Sequence, residues 1–181
     1  ALAGAAAYTY LNEMREGVEE ASRALDTVPE RLVARTKQLT EELRDREKRI
    51  EVLRGQLAQR EAEQLLSEGF SVDGMTVVAT QVRADSVDYL QAVTDAVRSR
   101  LGRGAVVLAG IIDGKPVFTM ALTSNADADL KANVILRKAA KVAQGGAGGT
   151  AEFAQGGGRD VDQVDAVLAT AVNAIKAQVE D

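Results

Sequence analysis

The chain contains no cysteine, no histidine and no tryptophan. Without Cys or His, thiol nucleophiles, Ser–His and Cys–His triads, disulfides and the usual zinc ligand sets are excluded together. Aromatic residues make up 3% of the 181 positions, too few for recognition by stacking splayed bases on an aromatic platform. No stretch approaches the roughly 20 consecutive apolar residues that span a bilayer. The opening ALAGAAAYTYL has no basic start, so it reads as a helix rather than a signal peptide. Position 1 is Ala rather than Met, which points to a fragment or to the tail of a longer protein. With nothing to mark export and no membrane segment, a cytoplasmic location is expected. The net charge of -5 argues against a histone-like nucleic-acid binder, although local basic patches steer contact more than the total does.

What is present is apolar. Ala, Val, Ile, Leu, Met, Phe and Tyr make up 46% of the chain, enough for a packed core. The length suits one domain with an extension, or two small units. Two halves differ in pattern, and the expected division is a helical linker and oligomerisation segment over 1–67 and a globular domain over 68–181. In the first half, Leu11, Met14, Val18, Ala21, Leu25 and Val28 recur at alternating spacings of three and four, the seam of an amphipathic helix. Thr27 and Glu30 have the spacing of a capping box around Pro29. A break at 26–29 and a second helix over 28–67 follow.

That second helix carries an apolar heptad frame. Thr36, Leu43, Ile50 and Leu57 share one core position, and Leu32, Leu39 and Leu53 share the other. Arg46 and Arg60 occupy the second position as well, which a long parallel coiled coil disfavours. Two arrangements remain open, an intramolecular hairpin with the first helix and an intermolecular coil. Leu39, Leu43, Ile50, Leu53 and Leu57 are the candidate oligomerisation residues. The run EELRDREKRIE suits solvated helix faces.

From residue 68 the pattern becomes mixed. SEGFSVDGM reads as a connector and MTVVATQV as a strand. Asp85 or Ser86 caps a helix through VDYLQAVTDAVRSRL, stopped by Gly102 and Gly104. GAVVLAGIID and KPVFTMALTS form two strands around Asp113-Gly114-Lys115, a hairpin turn signal. Residues 125–144 read as a helix, 145–160 as a glycine-rich loop and 161–179 as a last helix. The fold class is α+β: a long-helix hairpin or coiled-coil segment, then a small α/β domain with a glycine-rich loop.

The segment GGAGGTAEFAQGGGRD holds seven of the sixteen glycines. Glycine lets a backbone approach a partner closely or take left-handed angles, and exposed N–H groups before a helix can meet a phosphate. No Gly-Lys-Ser/Thr follows and the pattern predicts no strand before it, so neither a P-loop nor a dinucleotide fingerprint is present. Just upstream, Lys131, Arg137, Lys138 and Lys141 fall within an arc of about 120° on a helical wheel. Ala132, Ile135, Leu136, Ala139, Val142 and Ala143 occupy most of the rest. The basic stripe ends at the glycines, with Arg159 at their far side. A cationic stripe beside exposed amides suits contact with a phosphate backbone; a flexible surface loop beside a solvated helix accounts for the same spacing.

This run resembles the signature of the DHH-associated domain, which ends alanyl-tRNA synthetases and also occurs in DHH-type phosphoesterases. The matching elements are Gly145-Gly146, Gly148-Gly149, Glu152-Phe153-Ala154-Gln155 and Gly157-Gly158. The opening Ala3-Gly4-Ala5-Ala6-Ala7-Tyr8 is similar to the synthetase segment that leaves the editing domain, and the TVPE break and charged helix follow in the synthetase order. One departure is Gly149-Thr150-Ala151, where the family continues into Gly-Arg-Pro.

The resemblance implies a C-terminal tRNA-binding domain without a catalytic site, within a parent alanine–tRNA ligase. Its partners would be the elbow of tRNA-Ala, the aminoacylation and editing domains, and a second copy in a homodimer, with no membrane. ATP, Mg²⁺ and zinc would belong to the parent enzyme, and no cofactor to this chain. RNA contact would fall to Lys131, Arg137, Lys138, Lys141, Gly145, Gly146, Gly148, Gly149, Gln155, Gly157, Gly158 and Arg159. The rival readings are the substrate-binding half of a DHH phosphoesterase, which needs His metal ligands from elsewhere, and a purely structural oligomerisation module.

Overall fold

A computed structural model describes residues 4–127 and 129–179. Ala3 of the opening and Ala128 of the expected 125–144 helix lie outside them. The chain divides into two compact units, Ala1–Val52 and Leu53–Asp181.

In the first unit α1 spans Ala5–Ala24, and α2 begins at Leu32 after a single 3-10 turn, Pro29–Arg31. The break falls where expected, but the capping box does not form. The residue before the turn is Val28, extended and without a side-chain cap, while the Thr27 N–H donates back to Ser22 O at 2.9 Å. Thr27 therefore closes α1 instead of opening α2, and Pro29 provides the start by its restricted φ. Ser22 is buried and Arg35 Nε donates to Leu25 O at 3.4 Å, so this junction is tied. Away from it, Leu11, Met14 and Val18 on α1, and Leu43 and Ile50 on α2, are exposed.

The second unit is built on a six-stranded sheet in the order β1-β2-β3-β4-β6-β5. β1 is Phe70–Val72, β2 Met75–Gln81, β3 Gly104–Ile112, β4 Lys115–Leu122, β5 Gly146–Gly149 and β6 Phe153–Gly157. β2 and β3 are parallel, joined by α3 (Val87–Arg100); the other neighbours are antiparallel. Asp113-Gly114 turns the β3–β4 hairpin with both residues at positive φ, 50° and 73°, as a tight two-residue turn requires. Asp73-Gly74 does the same between β1 and β2, at 45° and 74°. The segment read as a connector thus contains a strand and a turn. Ser86 is the cap of α3, accepting from Tyr89 N at 3.3 Å.

Strand alternation divides the core into two faces. On one, Val107, Phe118, Met120 and Ala154 pack against α4 (Ala132–Ala140) and α5 (Val164–Val179). On the other, Val78, Val106 and Leu108 meet Leu90, Val93 and Val97 of α3 and Ala58, Ala62 and Leu65 from the last turns of α2, which ends at Ser67. The expected helix over 125–144 shortens to α4 plus a 3-10 turn, Lys141–Ala143. The segment before α4 turns instead, in keeping with the low helix preference of Asn and Asp: Asp127 O accepts from Leu130 N, the Asp127 carboxylate meets Arg103 at 3.1 Å, and Leu130 is buried.

Polar contacts fasten the end of α2 to α3. Arg54 meets Asp85 at 3.1 Å, Tyr89 Oη donates to Glu61 Oε2 at 2.6 Å, and Arg100 donates to Gln59 O at 2.8 Å. The Ser86 hydroxyl and the Arg54 guanidinium hold the Asp85 carboxyl below its usual range. Burial and then the Glu61 carboxylate push the Tyr89 phenol above its ordinary 10.0. The raised value favours the protonated folded state, so the stabilisation is complete below about pH 10 and is lost as pH rises through the alkaline range. Tyr89→Phe is expected to cost about 1 kcal/mol at neutral pH. Denaturant unfolding from pH 7 to 11 should show that gap from the parent chain closing above about pH 10.

Candidate nucleic-acid interface

α4 forms because its apolar positions recur at helical spacing. Ala132, Ile135, Leu136, Ala139 and Ala140 are buried against the sheet, with Ala143 just beyond. Lys131, Arg137, Lys138 and Lys141 are all exposed, as is Arg159. Val142, expected on the apolar side, is exposed at 37%. Among the described residues none of these five cations enters a salt bridge, so their charge is available to an external anion. Arg137 differs from the lysines: its Nε donates to Ala147 O at 3.3 Å.

The 3-10 turn after α4 is closed by Gln144, in the left-handed region at φ 54°, and Gly145 N donates back to Ala140 O at 2.9 Å. The sixteen residues that follow do not form a loop. They fold as the β5–β6 hairpin, which places β5 at the sheet edge. The glycines in it have different reasons to be glycine. A Cβ on Gly145 would stand 1.8 Å from Gly157 O, and one on Gly158 would stand 2.6 Å from Ala143 O. One on Gly156 would meet Gly146 O at 2.5 Å, and Gly149 has φ +130° with Phe153 O 2.3 Å from its Cβ position. Gly157 lies 3.2 Å from Pro116 O by the same measure. The first four are required by internal packing, and Gly157 is tightly packed without being confined to glycine. Amides here are partly internal too: Gly158 N donates to Pro116 O at 2.9 Å and, one residue on, Arg159 N to Ala143 O at 2.8 Å.

Gly146 and Gly148 are different. A Cβ on either would find nothing within 4 Å, and neither has positive φ. Ala147 between them packs towards the α4 core, so by strand alternation Gly146 and Gly148 face the opposite side. Both are exposed. Ala147 O, tied to Arg137, points away from β6, and its N–H shares that outward side. The β5 edge is therefore where the basic helix and a bare backbone surface meet. Gln155 lies opposite Gly148 in the register, and its Oε1 accepts from Gln91 Nε2 on α3.

Sequence reasoning did not single out Gln91 or Asn133. Asn133 Nδ2 donates to Gly149 O at 3.2 Å and so helps to clip the hairpin to α4; a lone Asn in the first turn of a helix gives no signal of such a tie. Among the described residues, no cluster of acidic side chains could hold a metal ion, and no helix is long and apolar enough to cross a membrane.

A mixed sheet flanked by helices on both faces, with a glycine hairpin clipped to a basic helix, defines a small α+β domain class. The family model of the DHHA1 domain matches residues 74–177, and the chain belongs to that family. It is 33% identical over 180 residues to an alanine–tRNA ligase of Acetivibrio thermocellus, and 39% over 183 residues to that of Acidothermus cellulolyticus. Each match covers 99% of this chain and 20% and 21% of those proteins, so the chain spans about a fifth of their length. Its fold is similar to the C-Ala domain from Aquifex aeolicus alanyl-tRNA synthetase. There the TM-score is 0.53 at 24% identity, covering 62% of this chain and 98% of that one.

The two kinds of glycine separate experimentally. Gly145→Ala forces backbone against backbone and is expected to cost about 3 kcal/mol or more. Gly148→Ala should leave the unfolding midpoint within about 0.5 kcal/mol of the parent. Equal losses in denaturant titration would contradict the division.

Proposed function

We propose that this chain acts as the C-terminal region of an alanyl-tRNA synthetase and binds the elbow of tRNA-Ala through shape and backbone contact. The observation that carries the reading is the pair Gly146 and Gly148 at the sheet edge beside the basic helix. No internal neighbour and no backbone angle requires glycine at either, and their bare backbone lets a partner approach closely there. Exposed Lys131, Lys138 and Lys141 supply the positive charge, and Arg137, bound to Ala147 O, holds the edge beside them. Such a surface recognises a folded backbone without reading base edges. The similarity to alanine–tRNA ligases supports the choice of RNA. Aminoacylation and editing, with their ATP, Mg²⁺ and zinc, belong in this reading to other parts of a longer chain, and binding here holds one tRNA for both.

Dimerisation is part of the proposal. Leu39 is half-buried, whereas Leu43, Ile50, Leu53 and Leu57 are exposed at 60, 48, 46 and 56% on one heptad frame of α2. A second copy pairing along that seam would cover them. Removing residues 1–66 is a poor test, because Ala58, Ala62 and Leu65 belong to the globular core.

Two measurements check these points. Lys138→Glu with Lys141→Glu should weaken tRNA-Ala binding and lower the slope of log affinity against log salt by about 1 to 2. An unchanged affinity and slope would remove this face from the interface. Leu43→Glu with Ile50→Glu should shift the sedimenting species from dimer to monomer with the unfolding midpoint kept, both positions being exposed; a dimer that persists would place the contact elsewhere.

A further inference from the structure

Gln91 and Thr94 lie one turn apart on α3. Thr119 on β4 and Gln155 on β6 are direct cross-strand partners. The two pairs meet across the space between helix and sheet. Thr94 Oγ1 donates to Leu90 O at 2.8 Å, so the 2.7 Å contact between the threonine hydroxyls has Thr119 as donor. Both threonines are fully buried, and this pair is an internal fastening. The glutamine pair differs in position: both side chains are half-buried, and Gln155 stands opposite the open Gly148.

A carboxamide has one acceptor oxygen and one NH₂ donor group, held in a plane on opposite arms. Gln91 Nε2 engages the Gln155 oxygen. With the oxygen turned to α3, the NH₂ group is turned away from it. Among the described residues no other side-chain hydrogen bond reaches Gln155. We propose that Gln91 is a positioning residue: it locks the Gln155 carboxamide so that its NH₂ group offers donors to an acceptor oxygen of the RNA lying against Gly146 and Gly148. The proposal rests on the RNA-binding reading above and adds a neutral, oriented donor to a surface otherwise described by charge and bare backbone. An unlocked carboxamide would present its oxygen as readily as its nitrogen, and a misplaced oxygen repels an acceptor.

The test is a double-mutant cycle on the full chain, with Gln91→Met, Gln155→Met and both together. Methionine keeps the length of the side chain and removes its hydrogen bonding. Affinity for tRNA-Ala and the unfolding midpoint are measured for each. Each single substitution is expected to weaken binding by about three- to tenfold, and the double by no more than Gln155→Met alone, because Gln91 acts through Gln155. Losses that multiply in the double variant overturn the proposal, and so does parent-like affinity of the Gln155→Met chain. A Gln91→Met chain with a lowered midpoint and unchanged affinity also overturns it, by assigning Gln91 to packing alone. If the unsubstituted chain retains no tRNA, the RNA-binding reading itself fails, a result distinct from the other three.

Discussion

The contact of backbone on backbone between the end of α4 and the β5–β6 hairpin governs the arrangement around it. Gly145 sits where any side chain would enter the Gly157 carbonyl, and Gly158 where one would enter Ala143. Ala143 O in turn accepts from the N–H of both Arg159 and Asp160, at 2.8 and 3.3 Å. Because no side chains intervene, the basic helix ends directly at the edge of the sheet. The hairpin can then take its place beside β4, and Asn133 and Arg137 reach the carbonyls of Gly149 and Ala147. The same close contact explains how a sheet can end in a strand of the composition GAGG. The strand has little side-chain packing of its own, and backbone contacts position it.

In the proposed role that arrangement serves as a binding surface. A chain with no His and no Cys has few groups suited to proton transfer or metal binding near neutral pH. What it presents at the β5 edge is a surface held by backbone contacts and by Arg137 and Asn133. The lysines attract an anion over distance, whereas bare glycine backbone rewards only a partner whose shape allows close approach. The first effect is screened by salt and the second is not. Beneath the surface, the Thr94–Thr119 and Gln91–Gln155 pairs tie α3 to the strands that carry the hairpin. The surface is thus tied from below as well as at its edge.

Much of this was legible in the sequence wherever side chains carried a pattern. Asp113-Gly114 announced its hairpin, Ser86 its helix, and the apolar spacing the buried face of α4; of the basic stripe, Arg137 and Lys138 lie on α4, while Lys131 precedes it and Lys141 follows in the 3-10 turn. Legibility failed where the backbone decides. Gly145–Asp160 is glycine at seven of sixteen positions and has one large apolar side chain, Phe153, so no strand period shows and a hairpin reads as a loop. β1 has three residues, too few for a period, although Asp73-Gly74 repeats the turn dipeptide that marked β3–β4. The residues before α4 contain apolar groups at plausible spacing, but Asn125, Asp127 and Asp129 favour local turns. Within the candidate site, the sequence separated neither the glycines needed inside from the two that face outward, nor Gln91 from an ordinary helix residue. Both distinctions are matters of spatial neighbours.

Whether the β5 edge meets RNA is decided by following the backbone amides of the isotopically labelled chain as tRNA-Ala is added. The resonances of Gly146, Ala147 and Gly148 are expected to move together with those of Lys138 and Lys141, while Gly110 and the Asp113-Gly114 turn stay unchanged. Perturbation centred on the β3–β4 turn, with β5 silent, would contradict a glycine-edged interface.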